Sequence, residues 1–222
     1  MGKLTEVKDS LYEQFCPLTT VAGQHFVEWF TGASLEKVGS SAKRWKEGGQ
    51  GTETIAISDS ADSGLSLKTQ GNNAGTTAFI DFGGNEFRPF AINGSVCIIV
   101  SKLVTTNYGV MSMGMNGNLM AEGKSIIKWY ADSYNNNIKF KVDSHTAIDS
   151  GLSAGEENNW HCYKIETKTS SSEGTIDGVL AATTSDIPDA VDTKLQPFVM
   201  VNNSEGSGVI EGLVRYYEAY NT

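Results

Sequence analysis

Apolar and polar residues alternate with a period of two along much of this chain, the spacing of extended strands. The clearest stretch begins at Trp160, where His161, Tyr163, Ile165 and Thr167 take one face and Cys162, Lys164 and Glu166 the other. A polar break at Ser170-Ser171-Ser172 follows, then a short run ending at Ile176. The dipeptide Asp177-Gly178 predicts a tight hairpin turn before a return strand at 179–182. The same pattern predicts strands at 25–30, 52–58, 64–69, 77–82, 90–103, 108–115, 125–130, 138–142, 160–167, 174–176, 198–202 and 209–217. Gly- and Asn-rich turns separate them, among them Gly48-Gly49, Gly83-Gly84-Asn85 and Asn135-Asn136-Asn137. Many short strands with no alternating helices imply an all-β, antiparallel two-sheet sandwich.

Only the amino terminus departs from this period. Leu4, Val7, Leu11 and Phe15 recur at helical spacing until Pro17 stops the pattern. Residues 1–23 therefore read as a short helix or arm, and 24–222 as one sandwich domain without internal repeats. The apolar stripe of the arm is a candidate docking surface, either for the sandwich itself or for a neighbouring subunit. Phe79, Phe82, Phe90, Ile92, Val96, Ile98, Val100, Trp129, Ile138, Phe140, Tyr163, Ile165, Val179, Phe198, Met200, Leu213 and Tyr216 form the expected core.

Charge narrows the partners. The 222 residues carry 26 acids and 17 Lys or Arg, a net charge of −9. No Lys/Arg run offers the clustered cations that phosphates require, so neither nucleic acid nor an anionic membrane is an expected partner. The segment 1–15 lacks the apolar core of a signal peptide, and no stretch is apolar enough to span a bilayer. Cys16, Cys97 and Cys162 lack the short spacing of a zinc site; Cys97 and Cys162 read as buried, unbridged thiols on strands.

The order Trp160-His161-Cys162-Tyr163-Lys164-Ile165, then Ile176-Asp177-Gly178-Val179, Ile187-Pro188 and Leu195-Gln196-Pro197-Phe198 resembles the concanavalin A-like lectin/glucanase and laminin G-like jelly-roll sandwiches. The resemblance implies a closing strand beside an early one near Trp29-Phe30. Sandwiches that look like this also occur on tailed-phage virions, and the ending Arg215-Tyr216-Tyr217-Glu218-Ala219-Tyr220-Asn221-Thr222 adds to that likeness.

The glucanase branch bears Glu-x-Asp-x-(x)-Glu on one strand, because glycoside hydrolysis needs one carboxyl to donate a proton and another to attack or activate water. No such triplet occurs: Glu156-Glu157 are adjacent, Asp59 and Asp62 lie in a turn, and Glu211 and Glu218 stand alone. His25, His145 and His161 are scattered. The resulting expectation is a non-enzymatic virion structural protein, a capsid decoration or fibre-associated surface protein assembled as an oligomer or on a lattice. The alternatives are a carbohydrate-binding module or lectin outside the cell, and a diverged glycan hydrolase or lyase. Glycan binding would fall to Trp129, Tyr130, Asp132 and Tyr134, an aromatic platform beside a carboxylate. No cofactor is expected; a Ca2+ ion would be sought in the oxygen-rich loops at 59–62, 132–137 and 186–192, none of which has EF-hand spacing.

Overall fold

The computed structural model describes residues 25–30, 46–50, 53–58, 64–69, 75–81, 90–104, 109–117, 126–132, 137–153, 159–188, 194–203 and 209–222. These form sixteen strands and no helix among the described residues: β1 (His25–Trp29), β2 (Lys46–Gln50), β3 (Glu53–Ser58), β4 (Gly64–Thr69), β5 (Thr76–Asp81), β6 (Phe90–Ala91), β7 (Ser95–Leu103) and β8 (Gly109–Asn116) in the first half. The second half supplies β9 (Ile126–Asp132), β10 (Asn137–Val142), β11 (Ile148–Asp149), β12 (His161–Thr167), β13 (Ser172–Ile176), β14 (Val179–Thr184), β15 (Lys194–Asn203) and β16 (Glu211–Asn221). The predicted arm at 1–23 lies outside the described residues, and with it Leu4, Val7, Leu11, Phe15 and Cys16.

Two antiparallel sheets face each other. The first runs β14-β13-β12-β7-β16-β4-β3, with β1 also on β16; the second runs β11-β10-β9-β8-β15-β5-β2, with β6 on β15. The expected contact between the chain's end and its beginning is present, Trp29 lying opposite Tyr216. The Asp177-Gly178 turn forms as anticipated, both residues at positive φ (50° and 83°) between the paired Ile176 and Val179.

Four expectations are corrected. The run 90–103 is not one strand: it breaks at 92–94, where Gly94 takes φ 74°, so β6 joins the second sheet while β7 crosses to the first. The phase of β7 is also opposite to that expected, with Cys97 and Ile99 in the core and Ile98 and Val100 only partly buried. Gly48-Gly49 is not a turn but the middle of β2, paired with Phe79 and Ala78. Val179, counted as core, is 69% exposed because it follows a hairpin tip on the edge strand β14.

Trp129 of β9 is the largest fully buried side chain. Its ring lies 5.1 Å from that of Phe140 and 6.1 Å from that of Tyr163, and its indole Nε1 donates to the Lys164 carbonyl at 3.0 Å. That bond crosses from the second sheet to the first. A second crossing bond runs the other way, from Tyr217 Oη to the Gly114 carbonyl at 2.5 Å, and Cys97 Sγ donates to the same Tyr217 oxygen at 2.9 Å. Burial pushes the Cys97 thiol and the Tyr217 phenol far above their usual ranges, so both stay protonated donors. Neither described cysteine is in a disulfide; Cys97 is buried as expected, whereas Cys162, expected buried, is half-buried.

Candidate functional site

The outer face of the second sheet follows from its core. Met111, Met113 and Met115 of β8, Ile127, Trp129 and Ala131 of β9, and Ile138, Phe140 and Val142 of β10 all point inward. Strand alternation therefore places Val110, Ser112, Gly114 and Asn116, then Lys128 and Tyr130, then Lys139 and Lys141, on the opposite face. Across the strands, Ser112 pairs with Tyr130 and Tyr130 with Lys139, while Lys128 pairs with Lys141. On the other flank, β15 sets Gln196 opposite Asn116 and Phe198 opposite Gly114.

This face is not a plain solvent face, since Ser112, Asn116, Gln196 and Phe198 are all buried. Lys128 Nζ donates to Ser112 Oγ at 3.3 Å and stands 5.3 Å from the centre of the Tyr130 ring. Burial, and secondarily the Lys141 ammonium, lower the Lys128 pKa to about 8. Asn116 is 1% exposed, yet neither its Nδ2 nor its Oδ1 has a hydrogen-bond partner. Buried amide atoms without partners cost stability, so an Asn in this state points to a ligand that completes its bonds.

Of the expected glycan-binding residues, Trp129 is 0% exposed and belongs to the core, which removes it from any platform. Tyr130 is on the outer face, half-buried. Asp132 is the last residue of β9, its side chain outside the described ones, and Tyr134 lies outside the described residues. Lys128, Lys139, Lys141, Ser112, Asn116 and Gln196 were not anticipated. The alternation Ile127-Lys128-Trp129-Tyr130 and Ile138-Lys139-Phe140-Lys141 carried the signal for the lysines.

The remaining candidates go elsewhere. Glu211 accepts from Ser66 Oγ at 2.7 Å and pairs with Lys68 at 3.2 Å, and buried Glu218 accepts from Tyr216 Oη at 2.8 Å. His161 Nδ1 is 2.6 Å from Asp177 Oδ2, whose other oxygen accepts the Cys162 N–H at 2.8 Å. Burial raises the Asp177 pKa, but these two partners outweigh it and hold the carboxyl below its usual value. His145 pairs with Asp186 at 3.5 Å. No group of three or more His, Cys, Asp or Glu side chains converges among the described residues; 59–62 and most of the other two oxygen-rich loops lie outside them.

No protein-family model matches the chain, and no curated protein matches it in sequence. Solved structures do match in shape. An apo Crh5 transglycosylase is similar at TM-score 0.61 and 14% identity, over 91% of this chain and 86% of that one. A Bacillus licheniformis β-glucanase matches at TM-score 0.60 and 12% identity, over 90% of this chain and 100% of that one. The fold is the concanavalin A-like jelly roll. The alginate lyase AlyC3 is a more partial likeness, TM-score 0.52 and 12% identity over 72% of this chain and 76% of that one. These neighbours correct the expectation of a non-enzymatic virion structural protein: the structures that share the fold across nine-tenths of this chain are named as enzymes of glycan processing. At such identities the likeness itself fixes the fold alone.

Proposed function

We propose that this chain processes a polysaccharide laid across the outer face of the second sheet. The observation that carries the reading is Asn116, a buried carboxamide with both polar atoms unpartnered at the end of the central strand β8 on that face. A sugar hydroxyl both donates and accepts, so hydroxyls can satisfy a carboxamide's oxygen and N–H together, while a sugar carboxylate takes the N–H. Further along the same face, Lys128 and Ser112 add polar heads and Tyr130 an amphipathic ring. The transglycosylase, glucanase and lyase names of the structural neighbours agree with a carbohydrate substrate.

The test is a panel of neutral and acidic oligosaccharides, with binding read by calorimetry and products by mass spectrometry. At least one should bind and be shortened. Asn116→Leu removes an unsatisfied amide, so it should leave the melting temperature unchanged or raised while weakening that binding. A variant that binds as well as the parent, or a panel that is neither bound nor cut, would overturn the reading.

A further inference from the structure

Three lysines, Lys128, Lys139 and Lys141, share one face of two adjacent strands in a chain of net charge −9. Lys128 and Lys141 are directly opposed across β9 and β10. Like charges so placed repel, and none of the three makes an ion pair with a described residue. An anionic ligand relieves that repulsion, and a local positive field on an acidic molecule concentrates such a ligand there. The unpartnered Asn116 amide stands one pair along from Lys128, since its partner on β9 is Ile126. Lysines plus a carboxamide suit a planar carboxylate on a sugar ring.

We propose that the substrate is a uronate-containing glycan and that Lys128 is the base that cleaves it by β-elimination. The proposal rests on the reading that this face processes polysaccharide. Hydrolysis uses two carboxyl groups astride the bond, but the outer-face positions of the central strand β8 are Val110, Ser112, Gly114 and Asn116, none of them an acid. Elimination needs no such pair. The uncharged Lys128 amine takes the proton from the carbon bearing the carboxylate. The C–H electron pair forms a carbon–carbon double bond to the neighbouring ring carbon, and that carbon's bond to the glycosidic oxygen breaks. The departing oxygen takes a proton from the Tyr130 hydroxyl, and the tyrosinate regains one from the Lys128 ammonium through solvent. Asn116 and Lys141 hold the carboxylate and spread the charge that develops beside it.

The fraction of amine needed for this exists near neutral pH, because the Lys128 pKa lies at about 8. Among the described side chains, the charged and titratable groups around it are Lys139 and Lys141 from β10 and Tyr130 on its own strand; β8 contributes none. Two strands further on, Asp81 of β5 is opposite Phe198.

The experiment uses the full chain with polygalacturonate, polymannuronate and hyaluronan, each beside its carboxyl-reduced neutral form. A polyuronate should yield chains ending in an unsaturated uronate, read by the ultraviolet absorbance of the conjugated acid, and its reduced form should not. Lys128→Arg keeps the charge but has no neutral form to act as base. It should bind the polyuronate as the parent does while turnover falls about 10²–10⁴-fold. In the parent, kcat/KM should climb as pH rises through about 8, and Lys141→Gln should move that midpoint upward by removing a like charge. Cleavage without unsaturated ends, full turnover in Lys128→Arg, or binding of the neutral forms alone would overturn the inference while leaving the polysaccharide reading intact. Failure to bind any glycan, neutral or acidic, would sink both.

Discussion

Replacing Gly174 by alanine measures how little room the core has. Gly174 is on the inner face of β13, and a Cβ built there would overlap Trp129 Cζ2 while standing 2.8 Å from Phe140 Cδ2 and 3.0 Å from Trp129 Cε2. Carbon atoms prefer about 3.5–4.0 Å, so the indole must retreat by roughly 1 Å. It has nowhere to go: Trp129 is fully buried between Phe140 and Tyr163, and its Nε1 is bonded to the Lys164 carbonyl at 3.0 Å. A retreat of that size takes the bond beyond hydrogen-bonding range. Overpacking costs about 1–3 kcal/mol, and a buried donor stripped of its partner a similar amount. The expected loss is about 2–6 kcal/mol, which for a domain of this size lowers Tm by roughly 4–24 °C. Calorimetry and urea unfolding followed by tryptophan fluorescence read it. The Trp129→Phe background removes the two indole atoms the new methyl would strike and opens space into which the Phe140 ring can shift, so there the same alanine should cost at least about 1 kcal/mol less, a coupling typical of residues in contact. A cost within about 0.5 kcal/mol of zero, or an equal cost in both backgrounds, would refute the reasoning.

Tyr217→Phe deletes the donor to the Gly114 carbonyl and the acceptor of the Cys97 thiol, and should cost about 1–3 kcal/mol in urea unfolding; no change would mean the crossing bond does not matter. Asp177→Asn keeps the shape of the hairpin tip but loses the charge facing His161. Because the Asp177 pKa is lowered on folding, its contribution is present above the ordinary value of 3.8 and disappears as pH falls through the folded value. With the Asp177 side chain 49% exposed, the variant should cost only about 1 kcal/mol at neutral pH and nothing in acid; a pH-independent difference would argue against the pair. In a Cys16→Ser background, a thiol reagent should label half-buried Cys162 on the native protein and reach Cys97 only on unfolding; early labelling of Cys97 would contradict its burial.

The last third of the chain was legible because local signals there agree with the fold. Asp177-Gly178 demands a tight turn, and the alternation from His161 to Thr167 can sit in only one phase against a core. The run 90–103 bends at Asn93-Gly94-Ser95, a turn sequence as plain as those read elsewhere in the chain, while Val96 to Val100 is apolar throughout, so period does not say which of its faces is inside. β2 was hidden by Gly48-Gly49, whose conformational freedom suits a turn equally well. Trp129 fits both a core and a platform as a residue type, and the alternation with Lys128 and Tyr130 is what puts it in the core. The site resisted reading for a related cause: Asn116 and Gln196 are far apart in the chain yet directly opposed, and only the register of β8 on β15 makes them neighbours.

Two layers joined at one point can still turn about it; joined at two, they can neither turn nor slide. The bonds from Trp129 to Lys164 and from Tyr217 to Gly114 are such a pair, and they run in opposite directions between the layers. Both anchor in β8 or β9, the strands that carry Asn116 and Lys128 on their other side. The spacing of those groups is therefore set from beneath, by the sheet that a ligand never meets. A glycan settling on this face should find a fixed comb of polar teeth, and the free and bound proteins should differ there by side-chain rotation without movement of the backbone below.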